Sequence, residues 1–147
     1  MTWQDLLNAQ KVRPHKTSRQ EVQDLRAVVS RDLADAGIAV LSDDRRFATA
    51  YNAVLQIAKI AIACAGYRVV GIGHHQSSFQ ALEVALGPTA VPFSAYFDQC
   101  RRQRNQVDYD MANVATRADV ELLIQKSAEV QTLVEAWIKK RHPGLAV

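Results

Sequence analysis

The segment from Phe47 to Ala65 constrains this chain more than any other. Read at helical periodicity it is apolar over most of its circumference. Arg45, Thr49, Asn52, Gln56 and Lys59 recur at helical spacing and form one polar stripe. A helix of this kind belongs at the centre of a bundle, with its stripe reaching solvent or meeting other buried polar groups. Ser42-Asp43-Asp44 places acids at its start, where the helix dipole favours them, and Gly66 ends it. The most apolar stretch, Ala53 to Ala65, is interrupted by Gln56 and Lys59 and is too short to span a bilayer. The N-terminus shows no basic region followed by an apolar stretch. A soluble, cytoplasmic protein with no membrane partner is expected.

The flanking segments supply helices to surround that centre. Thr2-x-x-Asp5 opens a first helix in capping-box fashion, and Arg13-Pro14-His15 closes it. Ser18-x-x-Glu21 reads as a full capping box for a second, whose apolar face is Val22, Leu25, Val29, Leu33 and Ala36, with Gly37 as the stop. A fourth helix runs from about His75 to Leu86 and is broken by Gly87-Pro88. Pro92 suits the first turn of a fifth. Thr116-x-x-Asp119 opens a sixth, which carries Val120, Leu123, Val130, Val134 and Trp137 along one side and ends before Pro143-Gly144. Between Gly66 and His75 the chain reads as a glycine-punctuated loop. Val69 and Val70 suggest a short strand, but no partner strand is evident. Six glycines and four prolines in 147 residues are too few for the turns of a sandwich or barrel. The expectation is one all-α domain over residues 1–147, an antiparallel bundle of four to six helices.

Several chemistries are absent from the motifs. There is no GxSxG, P-loop or HExxH pattern, and Gly71-Ile72-Gly73 lacks the preceding strand and third glycine of a dinucleotide loop. Cys64 and Cys100 sit in apolar patterns without metal-site spacing and read as buried free thiols. His74 and His75 suit a loop or helix cap, while His15 and His142, near helix ends beside prolines, read as surface residues. No metal and no cofactor is expected. Net charge is a mild +3, but Arg101, Arg102 and Arg104 cluster in one short segment.

That segment is the fifth helix, with Phe93, Phe97, Cys100, Val107 and Met111 on its apolar face. Helical steps place Arg104 on that face, between Cys100 and Val107, while Arg102 and Gln103 are directed to solvent. A buried guanidinium is costly unless paired. Asp108 lies four residues on, and Asn52 and Gln56 on the central stripe are further partners. Two readings stand side by side. In one, Arg104 and Asp108 form a buried ion pair that sets helix register. In the other, Arg101, Arg104, Asn105, Asp108 and Tyr109, with Asn52 and Gln56, line a polar pocket for an anionic group such as phosphate, which arginine's planar fork of donors suits. Sequence-specific DNA reading is not expected, because the one segment rich in Arg, Asn and Gln faces the core.

Three stretches together resemble the HEPN superfamily. They are Asp44 to Gln56, then Ala65-Gly66-Tyr67-Arg68 with Gly71-Ile72-Gly73-His74-His75, then Arg104-Asn105-Gln106-Val107-Asp108-Tyr109. The likeness runs from about Leu25 to the C-terminus and is nearest to the small stand-alone bacterial members. It implies a compact bundle of about four or five helices, often a homodimer. It implies a nucleotide or RNA ligand, and a nucleotidyltransferase or antitoxin as a partner protein. Catalytic members are ribonucleases of toxin–antitoxin, defence or RNA-processing systems. They carry an arginine, usually followed by a polar residue, with a histidine four to six residues beyond. Here Arg104 and Asn105 match the first half, and Tyr109 and Asp110 stand where the histidine would fall. Tyrosine titrates near 10 and is a poorer base than histidine at neutral pH. The expected function is therefore a non-catalytic or divergent HEPN-like domain that binds a nucleotide, an RNA phosphate or a partner protein around Arg104. The alternatives are an active metal-independent endoribonuclease, with Arg104, Asn105 and Tyr109 as catalytic candidates, and an antitoxin-like scaffold without a small ligand.

Overall fold

The computed structural model describes residues 1–108 and 112–147, with Asp108 described in its backbone only. Among the described residues there are six α-helices: α1 (Trp3–Asn8), α2 (Arg19–Ala36), α3 (Asp43–Cys64), α4 (His74–Leu86), α5 (Val91–Asp108) and α6 (Arg117–Arg141). The fold is the all-α helical bundle expected from the sequence. Helix α3 is its axis and packs against α2, α4, α5 and α6. Its side chains from Phe47 through Tyr51, Val54 and Ile57 to Ile62 are almost fully buried. They meet Val22 and Val29 of α2, Phe79 and Leu82 of α4, Phe97 of α5, and Leu123, Val130 and Val134 of α6 in one core. By length and composition α3 is the one described helix that could cross a membrane, yet most of it is buried inside the bundle.

The helix starts follow local chemistry. Thr2 and Thr116 form complete capping boxes with Asp5 and Asp119. At α2 only half of the expected box forms. Ser18 accepts from the Glu21 amide, but the Glu21 carboxylate turns away to His15, with Nε2 at 2.9 and 3.0 Å from its two oxygens. His15 is therefore paired rather than a free surface residue, and His142 packs edge-on against Trp137 with ring centroids 4.9 Å apart.

The strand suggested at Val69 does have a partner. Val12–Pro14 (β1) pairs antiparallel with Tyr67–Val69 (β2), aligning Val12 with Val69, Arg13 with Arg68 and Pro14 with Tyr67. The expected end of the first helix at Arg13-Pro14 is thus part of a strand, and α1 stops at Asn8. Proline is tolerated there because a two-stranded ribbon is all edge. Trp3 stacks on Tyr67 at 4.2 Å and 11°, which clips α1 to the ribbon.

Two side chains in the first turn of α3 tie its start to the neighbouring elements. Arg46 is buried and donates from Nε to the Ala36 carbonyl at 2.8 Å, satisfying the C-terminal end of α2. Asp44 accepts from the backbone amides of Asn113 and Ala115, both at 2.8 Å, and so ties the approach to α6 onto α3.

Candidate functional site

The site is built on Tyr51, a buried residue of α3 that the sequence analysis did not single out. A tyrosine on an apolar helix face must find a partner for its hydroxyl when buried. Here the hydroxyl lies 3.2 Å from Nδ1 of His75, in the first turn of α4. The tyrosine is only 1% exposed, and its ring meets Phe79 edge-on. The Arg104 guanidinium sits over the same ring, 5.8 Å from its centroid, within cation–π range. One buried tyrosine thus draws together α3, α4 and α5 and gathers a histidine and an arginine around it.

The surroundings are cationic. Arg101 lies one turn before Arg104 and donates from Nε to Asp98 at 2.8 Å, while Arg102 reaches the other Asp98 oxygen at 3.2 Å. The Arg101 hydrogen bond holds the Asp98 carboxyl below its usual range. Burial pushes the Tyr51 hydroxyl upward, against the opposing pull of Arg101 and Arg104, so it stays protonated. Burial also lowers His75, and the nearby charges of His74, Arg104, Lys59 and Arg101 add to that effect. His75 is therefore neutral at pH 7 in a neighbourhood that suits an anion. A hydroxyl that donates to Nδ1 leaves the ring proton on Nε2, a donor. The other tautomer donates from Nδ1 and leaves Nε2 as a base.

The other expected site residues divide. Arg104 is half-buried rather than sealed in the core, and Asn105 beside it is half-buried too. Arg102 is exposed as expected. Gln103 is not, because its amide donates to the Val114 carbonyl at 3.3 Å and to Asp119 at 3.0 Å, joining α5 to α6. Asn52 and Gln56 share the α2–α3 seam. Asn52 donates to the buried carboxylate of Asp32, and Gln56 reaches Asn52 at 3.5 Å. Arg31 completes that group, its guanidinium 3.0 Å from Asp32. The side chain of Asp108, and Tyr109, Asp110 and Met111, lie outside the described residues.

Cys64 and Cys100 are buried free thiols, as expected. Burial raises each to about 11, which keeps both protonated. Among the described residues no cluster of His, Cys, Asp and Glu has the makings of a metal centre. No family model, no curated protein and no solved structure matches this chain.

Proposed function

We propose that the chain is a HEPN-like helical domain that binds the phosphate of an RNA or nucleotide at Arg101, Arg104 and His75. The observation that carries this reading is the position of Arg104 on the tyrosine that also holds His75. Arg104 is half-buried with its guanidinium over the Tyr51 ring, and its planar fork is pre-organised, so less freedom is lost when its donors meet a phosphate. The Nε2–H tautomer of His75 adds a neutral donor beside it. A homodimer, as the resemblance implies, would double this face along an RNA strand.

Anisotropy of a labelled single-stranded RNA oligonucleotide provides the test. Arg104→Gln is expected to weaken binding by at least about tenfold and to lower the salt dependence by roughly one counterion. Unchanged affinity in that variant, together with a lowered melting temperature, would instead support the register-setting ion pair and a scaffold role.

A second reading draws on His75 itself. The histidine missing from the fifth helix has a counterpart brought in by α4. In its Nδ1–H tautomer, Nε2 can take the proton of a ribose 2′-hydroxyl as that oxygen bonds to phosphorus. The phosphorus–O5′ bond then breaks, and the departing oxygen takes a proton from solvent. Arg104 would stabilise the charge that builds on the phosphate. On this reading purified protein cleaves single-stranded RNA to 2′,3′-cyclic phosphate ends. His75→Gln then lowers the rate by roughly 100-fold or more while RNA is still bound. RNA left intact by the wild-type protein rules the reading out.

A further inference from the structure

A cleft lies between α2, the end of α3, the ribbon and the start of α4. It has a volume of about 370 Å³, within the range of small-molecule sites. Its floor is apolar, made by Leu25, Ile62 and Val69. Two exposed cations, Lys59 and Arg68, stand at its rim, and Glu21 lines its wall.

Two features beside this cleft bear on what it could hold. The first is Glu21. A glutamate three residues after Ser18 is placed to close the capping box, yet its carboxylate is held by His15 at the cleft wall instead. The single imidazole nitrogen leaves lone pairs on both oxygens free to accept from another donor. The second is the ribbon register, which sets Arg13 directly opposite Arg68. Like charges at directly opposed positions destabilise a strand pair, and an anion at the rim would relieve that repulsion.

We infer that the cleft binds a small amphipathic organic anion. Its apolar body lies on Leu25, Ile62 and Val69, its anionic group meets Lys59 and Arg68, and a hydrogen-bond donor on it faces Glu21. This site does not depend on the RNA-phosphate reading, since its charged residues come from α2, α3 and β2 rather than from α5.

8-Anilinonaphthalene-1-sulfonate combines an aromatic body, a sulfonate and an N–H donor, and serves as the probe. Natively folded protein is expected to bind it saturably, with a fluorescence increase. The double variant Lys59→Gln/Arg68→Gln, altered only at exposed positions, should bind at least about tenfold more weakly. Its circular dichroism should stay that of the wild type. The uncharged N-phenyl-1-naphthylamine should be indifferent to those two substitutions, and Arg101→Gln/Arg104→Gln should leave sulfonate binding unchanged. Equal sulfonate affinity in wild type and Lys59→Gln/Arg68→Gln would overturn the inference. So would the absence of saturable binding, or loss of binding in the α5 double variant instead.

Discussion

Tyr51→Ala is expected to destabilise the protein by about 3–4 kcal/mol, the cost of removing a fully buried aromatic side chain. For a chain of this length that lowers the melting temperature by roughly 10 °C. The ring is 1% exposed and touches Phe79, His75 and the Arg104 guanidinium, so its removal opens a cavity where three helices meet. Tyr51→Phe keeps the packing and removes only the hydroxyl at His75, and should cost about 1 kcal/mol. Urea unfolding at constant m-value measures both. A cost below about 1 kcal/mol for Tyr51→Ala would mean that the ring is not the joint between α3, α4 and α5 described above.

Asp44→Ala is the second large effect. Its carboxylate accepts two backbone amides, from Asn113 and Ala115. Asn113 holds a left-handed φ of 61°, a conformation that costs energy in most residues and persists where neighbours enforce it. Hydrogen bonds to an ionised group contribute more than neutral ones, so losing both should cost about 2–3 kcal/mol. The damage should be local first. Hydrogen exchange at Asn113 and Ala115 is expected to accelerate before that of the α3 core, because these amides lose their acceptor. Asp44→Asn, which keeps one acceptor oxygen, should recover part of the loss. If exchange at these amides is unchanged in Asp44→Ala, the tie between α3 and the approach to α6 is not what orders this connection.

The central helix was the most legible part of the chain, because apolar periodicity and end signals agreed there. The same arithmetic could have carried further. Asp32 falls three residues after Val29 and four before Ala36, on the buried stripe of α2, and it is buried with Arg31 and Asn52 on its carboxylate. Arg46 precedes Ala50 by one helical turn on the buried side of α3. Only one strand of the ribbon was legible, at Val69; its partner was not, since three residues are too few to show a period and Val12–Pro14 reads equally well as a helix end. Gln103 looked solvent-facing from its own helix alone. It is Asp119 of α6, sixteen residues away, that gives it a partner. The meeting of Tyr51 with His75, twenty-four residues apart, was hidden for the same reason. Periodicity tells which face of a helix is covered, not which neighbour covers it.

An NMR titration of the His75 imidazole, with and without a short single-stranded RNA, tests the central claim most directly. In the free protein, burial and the surrounding cations keep its pKa below the ordinary 6.5. The native state therefore holds fewer protons than the unfolded chain in that window. This group's contribution to stability is complete above pH 6.5 and is lost as pH falls toward the lowered value. A phosphate seated between Arg104 and His75 favours the charged ring and must raise that pKa. The account predicts a depressed value in the free protein that moves upward when RNA is added. It predicts no such movement in Arg104→Gln at the same RNA concentration. An unshifted His75 in the free protein, or a titration curve indifferent to saturating RNA, would contradict it.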